Sequence, residues 1–182
     1  MIDPRFTFDI GKQGLAQRFL NSSAVGNWMG SSGATVAAPD IFYAGPSSGQ
    51  IWRVTSIANY MQQGGTETAA FDRFWRSGAA LTNGILFRKS RNGILDHYLI
   101  ADPITTAFEM IMSYPEVFSR EFATSPWGDG ALEIIFLWKP ELAGFDLWLD
   151  GDKGERVDYI IQDTMPNLGT SGHTMFYDLV KG

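Results

Sequence analysis

Asp150, Asp152 and Glu155 fall within the six residues DGDKGE, flanked by FDLWL and RVDYIIQ. Hard oxygen ligands at such spacing suit a divalent cation, and the chain offers few other places for one. An EF-hand loop begins D-x-D-x-D-G and ends at its twelfth position with a bidentate glutamate. Set on Asp150, its third position is Asp152, but the fifth is Gly154, the sixth is Glu155 where glycine is needed, and the twelfth is Ile161. The flanks alternate with period two and are not the two helices of that motif. The preferred reading is a solvated hairpin turn, with Phe145, Leu147 and Leu149 facing Val157, Tyr159 and Ile161 on the core side; a shallow cation site on the three acids is its rival.

Gly45-Pro46-Ser47-Ser48-Gly49 matches G-x-S-x-G, the nucleophile elbow of serine hydrolases. That elbow needs a helix after the serine, whereas QIWRVTSIANYM reads as a strand, so a β-turn is favoured over a nucleophile at Ser47. His97 and His173 are too far apart for a close His-x-His metal pair and read as strand residues, His173 on the apolar phase. Glu133, Asp146 and Asp158 share the solvent phase of neighbouring candidate strands, where a glycosidase would want two carboxylates, and where the wet side of a sheet also puts them. Of the six tryptophans, Trp138 reads as core, while Trp28, Trp127 and Trp148 are candidates for a protein contact or a glycan.

The composition narrows the classes. Charged residues are 19% and the formal net charge is -6, with no basic cluster, which argues against nucleic acid and anionic membranes as partners. No cysteine is present, so disulfides, thiolate metal sites and cysteine nucleophiles are excluded. Neither a secretory leader nor a membrane-length apolar run is visible, and the chain is expected in the cytoplasm or on a particle assembled there. No cofactor and no metal are expected.

The elements are mostly strands. DIFYA, QIWRVTSIANYM, ALEIIFLWKP and HTMFYDLV alternate, and TNGILFRKSRNGILDHYLI reads as strand, Asn-Gly turn, strand. The second of these is apolar on both phases, as in a strand covered on two sides or lying near a partner. TETAAFDRFWRSG is the best helix candidate. Residues 104–122 stay open: Phe108, Met110 and Met112 alternate like a strand, while PEVFSREF would suit a helical turn. Residues 1–40 are diluted in glycine, serine and alanine around isolated apolar residues and read as an extended arm docking on its own domain or on a neighbouring subunit. The expected fold is all-β: an antiparallel sandwich of jelly-roll type over residues 41–182, with the N-terminal arm and one short helix.

WLDGDKGERVDYIIQDTMPNLGTSGHTMFYDLVKG, with IWRVTSIANYM, LTNGILFRK and HYLIADPI, resembles the auxiliary capsid proteins of tailed bacteriophages, the decoration or cement proteins. The resemblance implies a non-enzymatic virion protein that sits on a capsid lattice, binds the major capsid protein and assembles with itself, often as a trimer. Interface residues would then be Phe6, Phe8, Leu15, Phe19 and Trp28 of the arm, with Trp127 and Trp148. A capsid or minor capsid protein is the nearest alternative. A carbohydrate-binding or phage receptor-binding sandwich is the next, and a hydrolase built on Ser47 or a carboxylate pair is the last.

Overall fold

The computed structural model describes residues 13–16, 20–21, 28–29, 32–63, 80–114, 116–121, 132–144, 146–165 and 168–181. The helix candidate TETAAFDRFWRSG lies outside them. In chain order the strands are β1 (Gln13–Ala16), β2 (Leu20–Asn21), β3 (Trp28–Met29), β4 (Ser32–Gly33), β5 (Asp40–Ala44), β6 (Ile51–Gln63), β7 (Ile85–Arg91), β8 (Ile94–Tyr98), β9 (Glu116–Glu121), β10 (Leu132–Trp138), β11 (Leu147–Asp150), β12 (Glu155–Ile161), β13 (Thr164–Met165) and β14 (Leu168–Lys181). One helix, α1 (Ala107–Ser113), interrupts them.

One large sheet runs β1-β14-β6-β10-β9, with β11 also on β6 and β3 also on β14; the second runs β2-β5-β12-β7-β8, and β4 and β13 form a separate two-stranded ladder. Every pairing is antiparallel. The chain crosses between sheets from β5 to β6, from β6 to β7, from β8 to β9, from β11 to β12 and around to β14. This arrangement is an all-β sandwich of two antiparallel sheets. The strands β1, β2 and β3 of the glycine- and serine-rich segment all pair with this same domain, on β14 and β5.

The two sheets enclose one aromatic layer. Phe87 of β7 meets Trp138 of β10 edge-on at 5.2 Å between ring centroids, with Tyr159 and Tyr114 at 6.1 and 6.2 Å. Phe42, Phe136, Leu149 and Ile161 are fully buried around them. Trp138 is core, as its phase on the strand implies.

Three local features differ from expectation. The mixed faces of β6 come from a bulge and not from double coverage. Opposite β14 the register slips, so that Ser56 faces Phe176 and Val54 faces Tyr177 while Thr55 is the extra residue. The slip moves the buried phase from Trp52 and Val54 to Ile57 and Asn59, and it divides the part of β6 paired with β11 from the part paired with β10. Over 104–122 the order is helix, then strand, the reverse of what alternation suggested. Thr106 accepts from the Glu109 amide at 3.1 Å and the Glu109 carboxylate accepts from Thr106 N–H at 3.2 Å, a reciprocal capping box that starts α1. Finally, β11 and β12 are not a hairpin. They belong to opposite sheets, so DGDKGE turns a corner, and the buried Leu147 and Leu149 face Val157, Tyr159 and Ile161 across the core and not along a shared ladder.

Phe87→Ala should therefore cost about 3–5 kcal/mol, the range for deleting a fully buried aromatic side chain, measured by urea unfolding. A loss under about 1 kcal/mol would mean that the sheets do not depend on this layer.

Candidate functional site

The corner between β11 and β12 is a densely hydrogen-bonded polar structure. Gly151–Lys153 form a 3-10 turn; Asp150 caps it by accepting from the Asp152 amide at 3.0 Å, and Gly154 closes it in the left-handed region at φ 64°. A methyl group on Gly151 would lie 1.9 Å from the Ser47 carbonyl oxygen, and one on Gly154 would lie 1.9 Å from the Asn92 amide oxygen. The turns at 45–50, 91–94 and 150–155 thus meet at one end of the sandwich, and glycine lets them touch.

Each acid proposed as a cation ligand is bonded within the protein. Asp152 accepts from the Ser48 hydroxyl and the Gly49 amide, both at 2.7 Å, and these hold its carboxyl below the usual aspartate range. Asp150 pairs with Lys153 at 3.0 Å, which lowers it likewise. Glu155 is almost fully buried; burial raises its pKa, but Lys89 at 2.9 Å, the Asp150 amide at 3.0 Å and Arg91 at 3.2 Å outweigh that and leave it lowered. Among the described residues no three of His, Cys, Asp or Glu are grouped to hold a metal ion.

The other chemical candidates are scattered. Ser47 lies in the turn from β5 to β6, and a strand follows it, so G-x-S-x-G is not an elbow here. Glu133 is on β10 and Asp146 precedes β11 in one sheet, while Asp158 is on β12 in the other. Asp158 is not on a wet face: it is wholly buried between Arg88 at 3.2 Å and Arg156 at 2.7 Å. Arg156 also lies over the Tyr43 ring at 4.1 Å. His97 is half-exposed, with Nδ1 3.3 Å from Asp96. The side chain of His173 lies outside the described residues.

One accessible surface among the described residues is the side of the sandwich where two edge strands, β8 and β11, approach. All five residues of β8 are exposed, including Ile94, Leu95 and Tyr98. Between β8 and β11 lies an open groove of about 410 Å³, lined by Lys89, His97, Tyr98, Asp146, Leu147 and Trp148. Trp148 is 36% exposed. Its side chain bonds Asp146, the first cause of the lowered pKa of that carboxyl, which Arg53 also pairs at 3.0 Å. Elsewhere, Phe108 and Met112 of α1 are exposed while Met110 is buried. Of the interface residues expected from sequence, Trp148 is the one whose side chain is described; Leu15 and Trp28 are placed by backbone alone, on β1 and β3. Phe6, Phe8, Phe19 and Trp127 lie outside the described residues. The phase of Trp148 on its strand signalled its exposure; nothing local signalled His97 and Tyr98 as its neighbours.

Among the described residues no helix is long and apolar enough to cross a membrane. No protein-family model, curated protein or solved structure matches the chain.

Two outcomes follow from the charges. Asp158→Ala strands two guanidinium groups and should cost about 3–5 kcal/mol, the usual penalty for removing one member of a buried ion pair, read from the shift in the urea midpoint. The lowered carboxyls of Glu155, Asp146, Asp150 and Asp152 bind protons less readily folded than unfolded. Their stabilisation is present above the unfolded carboxylate range of about pH 4 and is lost as pH falls through the lower folded values. Scanning calorimetry should show a Tm that is level from pH 7 to about 5 and drops below about 4; a Tm that rises on acidification would contradict this assignment.

Proposed function

We propose that this chain is a virion structural protein of the decoration type, which binds a capsid lattice without catalysing a reaction, as a homo-oligomer of trimeric form. The observation that carries the reading is β8, an edge strand exposed along its whole length that presents Ile94, Leu95 and Tyr98 to solvent. An exposed apolar edge is a site for another chain, because its backbone groups and side chains gain from being covered. Phe108 and Met112 of α1 add a second apolar patch. The resemblance of residues 41–182 to decoration proteins supplies the partner, the major capsid protein, and the location, a particle assembled in a host cytoplasm. The arm residues belong to the contact surface in this reading.

Point substitutions test it better than removal of residues 1–30, since that deletion would strip β1, β2 and β3 from the sheets. The double variant Ile94→Lys, Leu95→Lys should fold as the parent does, both positions being exposed, and should lose at least tenfold in affinity for capsids by co-sedimentation. Full retention of binding would remove β8 from the interface.

A further inference from the structure

The groove between β8 and β11 has a chemistry distinct from the apolar edge beside it. Its floor is Leu147, which is buried, and Lys89, whose side chain is 12% exposed. Its rim carries two aromatic rings, Trp148 on one bank and Tyr98 on the other, with the Asp146 carboxylate and the His97 imidazole between hydrophobic surfaces. We propose that this groove is a binding site for a neutral oligosaccharide, with Trp148 as its stacking platform. This does not rest on the capsid reading.

Three observations define the ligand class. The first is charge. Lys89 is already paired with Glu155 at 2.9 Å, and Asp146 with Arg53 at 3.0 Å, so the two formal charges of the lining are balanced within the protein. An ionic ligand would gain little here, whereas a ligand offering hydroxyls would find a fixed acceptor in Asp146 and, with Nδ1 of His97 turned to Asp96, a second polar atom in His97 Nε2. The second is rigidity. Trp148 sits opposite Arg53 in the β11–β6 register, so its backbone is fixed by strand pairing before a ligand arrives and only side-chain rotamer freedom is lost on binding. The third is shape. A sugar ring presents an apolar C–H face and a polar edge at once, which a half-exposed indole beside a carboxylate matches. A volume of about 410 Å³ lies within the range of small-ligand sites, and the groove stays open, which suits a chain of sugars more than an engulfed small molecule.

The test is to apply the purified full chain to an array of neutral and acidic glycans, then to titrate any bound glycan by tryptophan fluorescence. At least one neutral oligosaccharide should bind saturably. Trp148→Ala and Tyr98→Ala should each weaken it about tenfold or more, the order expected for losing an aromatic contact, while Phe176→Ala, an exposed aromatic residue of β14, should leave it unchanged. Near-ultraviolet circular dichroism confirms that each variant is folded, and Tyr98→Ala carries the test should Trp148→Ala not fold. A flat array from folded protein, binding of acidic glycans alone, or binding that survives the groove substitutions would each overturn the proposal. Capsid co-sedimentation is a separate readout, so failure of one reading is distinguishable from failure of the other.

Discussion

Everything in this sandwich depends on how Phe87 of one sheet fits against Trp138 of the other and the tyrosines around them. Trp138 meets it edge-on, Tyr159 flanks it within its own sheet, and Tyr114, delivered by the segment after α1, closes the layer and hydrogen-bonds Asn59. Aromatic residues bury large area at fixed geometry, so this contact sets both the spacing of the sheets and their relative register. The bulge at Thr55 meets a separate constraint on β6. A strand as long as β6 cannot keep one phase inward and still follow two partners, β11 and β10, that meet it in turn, so its buried phase is reset midway.

The end of the sandwich obeys a different constraint. Three turns converge there within van der Waals reach, and their polar atoms are satisfied by one another: Asp152 by Ser48 and Gly49, Glu155 by Lys89, Arg91 and the Asp150 amide. Glu155, the buried acid of DGDKGE, is tolerated because its charge and lone pairs are met, while Asp150 and Asp152 lie nearer solvent and tie the turn together. The same logic places Asp158 between two arginines on the outer face of its sheet.

Period-two alternation made most strands legible, and the Asn92-Gly93 turn between β7 and β8 follows from residues suited to positive φ, observed at 52° and 79°. The capping box Thr106-x-x-Glu109 was also legible in principle, but the alternating Phe108, Met110 and Met112 masked it; on a short helix the buried Met110 and the exposed Phe108 and Met112 give the same alternation. The corner at 150–155 was not legible, because local turn chemistry does not specify which sheet the next strand joins. That choice is made by long-range pairing of β12 with β5 and β7. The groove was half-legible for the same reason: the phase of Trp148 is local, whereas its approach to His97 and Tyr98 is created by topology.

An account that assigns the exposed edge to a capsid partner is tested most directly on the particles themselves. Particles from cells that carry this gene, banded by density and quantified by mass spectrometry, should contain the chain at a fixed ratio to the major capsid protein through repeated gradients. Recovery of the chain only in the soluble fraction, while intact particles band without it, would contradict the account.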